Sequence, residues 1–313
     1  MVYREIYLRL QGQLTCTAAN NVAANMFPGD EWAVVQNIVI RQNGSDEIKR
    51  INGAALRWLM FYLYGLFPIK QIATLGDGAT ANPAFDLTLV IPLWMPRSLK
   101  PMDCALDSRI LADLSIDIQW GTFTSINSAA TGFTVAPTIN VFSLESFNIN
   151  GPFSRWNIFP ITDTPAAANV QENIRLPVGP MYRAFLIQDP SLIVTNLKLL
   201  SGTTVFTDVT KAVLRTVLAL DRRGVDFNSI IANTNFLAGA PGDDSNHFLY
   251  YDHVTDGYNT EAIDTYGLSE FFLQFNVSGA GTINVWPQQI YPLRGAAGQS
   301  TVSGRRGATT RTV

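Results

Sequence analysis

The chain has 313 residues, 47% of them hydrophobic, and its 22 basic against 25 acidic side chains give a formal net charge of -3. That length and apolar content suffice for a large core, in two ordinary domains or one long all-β unit, without disulfide or metal staples. The charge balance excludes a body that binds nucleic acid or anionic lipid through its overall field and leaves such a role to a local patch.

Met1 to Glu5 lead directly into an alternation of Ile6, Leu8 and Leu10 with Tyr7, Arg9 and Gln11, which predicts a strand with one buried face. The start has neither the apolar core nor the cleavage site of a signal peptide, so export by that route is not expected. Cys16 and Cys104 stand in no metal-binding or redox spacing and read as two buried thiols, a bridge between them being the alternative. A second strand follows at Ile38 to Arg41. Residues 54–67 form the most apolar run, but Arg57 lies inside it and Pro68 closes it, short of the roughly 18 to 20 residues that span a bilayer. It is predicted to be a buried helix, and because it is apolar nearly all round, a neighbouring domain or subunit must cover it on more than one side. Residues 76–81 match the dinucleotide-binding glycine pattern formally, yet a strand follows instead of the helix that would hold a pyrophosphate, so they read as a loop. Phe85 to Leu93 is dense enough for a central strand, and Leu114, Ile116 and Ile118 alternate with Ser115, Asp117 and Gln119. Asn148 to Asn169, rich in Asn, Pro and Ala, is read as a linker. Beyond it, Val209, Val213, Val217 and Leu220 recur at near-helical spacing, with Lys211, Arg215 and Arg222 elsewhere on the cylinder. Phe271 to Val277 is another dense strand, and the chain closes with a Gly/Ser/Thr tail bearing Arg294, Arg305, Arg306 and Arg311.

An internal repeat organises these elements. Asn37-Ile38-Val39-Ile40, Asn43-Gly44, Ile48, Ile51 and Ala55-Leu56-Arg57 lead to Gly65; Asn196-Leu197-Lys198-Leu199, Ser201-Gly202, Phe206, Val209 and Val213-Leu214-Arg215 lead to Gly224. Both copies read as strand, tight turn, short strand, helix and Gly stop. Three weaker matches fall in the same order: Leu8-Arg9-Leu10 with Ile174-Arg175-Leu176, residues 117–120 with 272–275, and the identical Thr-Ile-Asn-Val at 138–141 and 282–285. They place a first unit at 1–147, the linker at 148–169, a second unit at 170–293 and a tail at 294–313.

Two tandem sandwiches of about eight strands, each with a short inserted helix, resemble the double jelly-roll major capsid proteins of tailless icosahedral viruses and bacteriophages, including those with an internal membrane. The resemblance rests on the repeat across residues 5–293 and implies an all-β fold and a structural coat protein without catalytic activity or cofactor. It further implies homotrimeric, pseudo-hexagonal capsomers in a virion assembled from protein made in the host cytoplasm. Partners would be other copies of the chain, minor capsid, vertex or spike proteins and an internal lipid membrane, with no sequence-specific nucleic-acid binding. Candidate interface residues are Trp58, Phe61 and Tyr62 on the first helix, Trp156 in the linker, and Arg294, Arg305, Arg306 and Arg311 in the tail. The aromatic, charge-poor loops at Trp94, Phe153 to Trp156 and Trp286 suit such interfaces, but Trp94 and Trp120 read rather as core residues, and Trp156 fits either role.

No nucleophile elbow, phosphate loop or zinc pattern occurs. His247 and His253, six apart on a predicted strand, stand roughly 20 Å apart at about 3.3 Å per residue, too far to share an ion. Gly242-Asp243-Asp244 reads as a solvated turn. A carbohydrate-binding or glycoside-cleaving sandwich remains the alternative, because Asp86, Asp117 and Glu270 lie on predicted strands from which a carboxylate pair could be assembled.

Overall fold

Alternation in the first strand does what the pattern predicts: Ile6, Leu8, Leu10 and Leu14 are buried, and Tyr7, Arg9, Gln11 and Gln13 between them are partly exposed. A computed structural model describes residues 2–26, 30–65, 70–96, 104–147, 149, 153–167, 170–215, 247–254 and 261–291. In chain order these form β1 (Val2–Thr15), β2 (Val35–Gln42), β3 (Asp46–Ile51), helix α1 (Gly53–Tyr64), β4 (Lys70–Ala73), β5 (Ala84–Pro92) and β6 (Leu106–Asp107). There follow β7 (Leu114–Trp120), β8 (Gly132–Ser146), β9 (Arg155–Ile158), β10 (Ile161–Asp163), β11 (Val170–Arg175), β12 (Met181–Gln188) and β13 (Val194–Ser201). The last are β14 (Thr204–Thr210), α2 (Lys211–Val213), β15 (Phe248–Asp252), β16 (Ile263–Asp264), β17 (Phe272–Val277) and β18 (Ile283–Tyr291).

Three sheets carry the fold. One has the order β4-β5-β1, with β6 and β8 also pairing with β1. The second, β15-β12-β18-β9-β3-β2-β7, has nine strands once β10 beside β18 and β16 beside β12 are included. The third is β11-β17-β13-β14. Side chains of the first sheet pack against β2 and β7, and those of β12, β15 and β18 pack against the third sheet, giving two stacked sandwiches with a buried apolar cluster each. The large sheet belongs to both, joined where β3 meets β9 in a single parallel contact between Lys49 and Ile158.

The hairpin β2–β3 turns at Asn43 and Gly44, whose φ angles of 52° and 80° are the left-handed pair that a two-residue turn matched to strand twist requires. Helix α1 is capped at both ends: the Asn52 side chain accepts from the Ala55 amide at 2.7 Å, and Gly65, at φ 79°, donates its N–H to the Phe61 carbonyl at 2.8 Å. Gly53 is required at the first turn because a Cβ there would stand 2.2 Å from the Trp32 carbonyl oxygen. Every residue from Gly53 to Leu63 is buried.

Several expectations are revised. The stretch 148–169 contains two strands: β9 pairs with β18 from Ile158–Gln288 to Arg155–Tyr291, and β10 pairs with it from Ile161–Val285 to Asp163–Ile283. Asn and Pro content there marked the connections and hid Trp156 to Ile158, which are buried. The weak match of Leu8 with Ile174 is also mistaken. Leu8 on β1 faces Val141 and Leu89, and Ile187 on β12 faces Val285 and Leu249, so β12 is the counterpart of β1. Short alternating segments are interchangeable in composition, and only the pairing distinguishes them. Among the described residues the second half has nine strands when β9 and β10 are taken as one interrupted strand, the two-residue β16 among them. Among the described residues the first half has six long strands, β1, β2, β3, β5, β7 and β8, with short β4 and β6 beside them. Both cysteines are buried, and no disulfide joins them. The second helix is described only as far as Arg215, and the Gly224 stop lies outside the described residues.

Candidate assembly surfaces

Trp58, Phe61 and Tyr62 were singled out because α1 has no polar face, and all three are buried, at 0%, 1% and 5% exposure. The cover comes from the chain's own second half. Trp58 stacks on Phe248 at 5.6 Å between ring centroids, and Tyr62 stacks on Tyr250 at 4.5 Å with the planes 11° apart. Met181, Ala184, Leu186, Trp286 and Ile290, from the face of β12 and β18 turned away from the second core, join the same cluster. The helix is therefore a wedge between the halves, and these three side chains form an interface within one chain.

Trp156 lies at the same seam. It is 3% exposed, and Lys49 of β3 reaches it twice: the ammonium donates to the Trp156 carbonyl at 3.2 Å and sits 3.6 Å from the centroid of the indole. Among the described residues no carboxylate pairs with Lys49, itself 2% exposed, and burial drives its ammonium well below the usual lysine range, the Cys104 thiol acting weakly the other way. A cavity of about 10 Å³ between Ile48, Lys49, Leu93, Ala105, Leu106, Arg155 and Trp156 holds a single water at most.

The carboxylates are committed to structure. Glu5 accepts from Tyr7 at 2.5 Å, Tyr64 at 2.8 Å and the Trp94 indole N–H at 3.2 Å, tying β1, the end of α1 and the loop after β5 together, while Arg4 stacks on Trp94 at 3.8 Å. Burial, with Glu5 alongside, pushes the Tyr7 phenol up to about 12 and raises that of Tyr64. Asp86 accepts a bidentate pair from Arg9, at 3.0 and 2.6 Å, and a further bond from Gln11 at 3.0 Å. The Arg9 guanidinium holds its carboxyl below the usual range, the reverse of what a glycosidase acid needs. Asp117 pairs with Arg41, and Glu270 stands just ahead of β17, not on a strand. His247 and His253 bracket β15, and among the described residues no three potential metal ligands cluster. Asp77 closes its own loop by accepting from the Ala79 and Thr80 amides, each at 2.9 Å.

Trp120, read as core, is 37% exposed on β7. A surface that sequence reasoning missed lies on β8: Val135, Val141, Phe142 and Leu144, with Phe147 just beyond, are 37 to 69% exposed. A second, smaller group consists of Val205, Phe206 and Val213 in the other half. Gly242-Asp243-Asp244 and the tail arginines Arg294, Arg305, Arg306 and Arg311 lie outside the described residues.

Two sandwiches fused side by side over an apolar seam define a double jelly-roll architecture, and the fold is that of viral major capsid proteins. The major capsid protein of Sulfolobus turreted icosahedral virus superposes with a TM-score of 0.65 at 12% identity, over 92% of this chain and 88% of that one. The major capsid protein P2 of bacteriophage PM2 gives 0.57 at 14% identity, over 92% and 87%. A capsid protein of the virus PBCV-1 gives 0.57 at 8% identity, over 92% and 86%. No protein-family model matches the sequence, and no curated protein does. The carbohydrate alternative receives no support from these likenesses.

Proposed function

We propose that the chain is a non-catalytic coat protein of an icosahedral virion that associates with copies of itself into trimeric, pseudo-hexagonal capsomers. The observation that carries this reading is the fusion of two sandwiches through one continuous sheet and one buried helix, with a capsid-protein fold over 92% of the chain. Two similar lobes held at fixed orientation make a three-fold trimer nearly six-sided, a shape that tiles a facet with one gene product. The two lobes meet near residues 147–154, with β9 and β10 in the second. Arg294, Arg305, Arg306 and Arg311 then serve as a cationic arm toward an adjoining capsomer or an internal membrane, and minor shell proteins occupy the vertices of a virion whose coat is made in the host cytoplasm. Light scattering on the purified chain tests this. A mass near three times 34.4 kDa, rising to particles under assembly conditions, is expected. A strict monomer at high concentration that forms no particles overturns it.

A further inference from the structure

The two halves correspond strand by strand. Ile38 faces Ile118 across β2 and β7 as Leu197 faces Phe275 across β13 and β17, and Leu8 faces Val141 across β1 and β8 as Ile187 faces Val285 across β12 and β18. The correspondence fails on one side. In the second half β18 is flanked by β9 and β10, and β17 by β11, where Ile174 lies opposite Leu273. In the first half, among the described residues, β8 pairs only with β1 and β7 only with β2.

The inward side chains register the difference. Leu273, Phe275, Ile283 and Val285 are all 0% exposed. Val141, which shares the inner face with Leu8, is 50% exposed, and Trp120 is 37% exposed. Ile116, Ile118, Phe133 and Ile139 are only partly buried against the core. Among the described residues the first sandwich thus lies open between β7 and β8, an apolar trough bounded by two strand edges with no described partner. Such edges normally carry charge that blocks strand addition, whereas the 15 residues of β8 include one charged side chain, Glu145, and one proline, Pro137.

We propose that this trough is a binding site for a polypeptide segment that supplies two strands, one to each sheet, with apolar side chains at alternate positions, pairing with β8 and β7 as β10 and β11 pair with β18 and β17. The second half shows the chemistry required: Ile161 on β10 lies beside Val285 in one sheet, Ile174 on β11 lies beside Leu273 in the other, and both pack in the second apolar cluster. Strand addition satisfies the edge amides and carbonyls while the alternate side chains fill the trough. The site exists in a single chain and does not depend on the coat-protein reading.

Residues 153–180 of this chain, made as a synthetic peptide, are the probe, added to the full chain with hydrogen exchange followed over 114–120 and 132–146. The peptide is expected to slow both strands saturably by about tenfold or more. Val141→Asp in the chain should abolish that protection, and Phe142→Ser, on the outward face, should keep it. A second form supplies the two strands at high local concentration by joining a copy of residues 153–180 to Val2, the counterpart of Met181, which residues 176–180 enter directly from β11. Absence of protection in both forms overturns the proposal. So does equal protection produced by raising the protein concentration alone, which would mean pairing of copies, or by phosphatidylcholine vesicles, which would mean a lipid-facing patch. Hydrogen exchange reads the trough and light scattering reads the trimer and particle mass, so failure here and failure of the coat-protein reading are separable.

Discussion

Replacing Trp58 by Ala tests whether α1 joins the two halves into one core. The side chain is 0% exposed and stacks on Phe248 at 5.6 Å. A buried indole removes roughly 150 to 250 Å² from water, which at about 25 cal/mol per Å² corresponds to about 4 to 6 kcal/mol as an upper bound. Truncations of this kind cost about 3 to 5 kcal/mol, and about 4 kcal/mol is expected here. About 1 kcal/mol of that should depend on Phe248, seen as coupling in a cycle with Phe248→Ala. Guanidinium unfolding followed by fluorescence and by circular dichroism measures it, the native chain unfolding in one coincident transition because the cluster spans both halves. Trp120→Ala, at a position 37% exposed, should cost less, about 2 kcal/mol. Equal losses at the two tryptophans, or no coupling to Phe248, would refute the wedge.

Lys49→Met should stabilise the fold at neutral pH by about 1 kcal/mol, because the desolvation of an unpaired buried ammonium outweighs its one carbonyl bond and indole contact. With the folded-state value depressed, the unfolded chain binds more protons, so native stability rises with pH until the unfolded lysine titrates near about 10.4. The advantage of Met should therefore shrink through that window, and a pH-independent difference in denaturant midpoints would contradict it. Glu5→Ala should cost about 3 kcal/mol by leaving the Tyr7, Tyr64 and Trp94 donors without their shared acceptor. The same variant should return the Tyr7 phenol from about 12 toward its ordinary range in an alkaline absorbance titration, and an unmoved titration would argue against the contact.

Alternation and turn chemistry were enough to place β1, β2, β5, β7 and β17, because a period of two with one wet face is a local property of the strand. The apolar run 54–67 likewise announced a covered helix, since no face of it tolerates water. The repeat of strand, turn, strand and helix was legible for the same reason: each copy is a contiguous segment. What covers α1 was not legible, because the partners Phe248 and Tyr250 lie almost two hundred residues further on and look like any buried strand. Nor was the identity of β9 and β10, whose few residues are strands only because β18 lies beside them. The same holds for Val141 and Val285, set in an identical four-residue sequence, one 50% exposed and the other 0%. Among the described residues Val285 has Ile161 of β10 beside it, and Val141 has no strand on that side. Burial of a strand's face is settled by long-range pairing, and a side chain carries no record of which edge stays open.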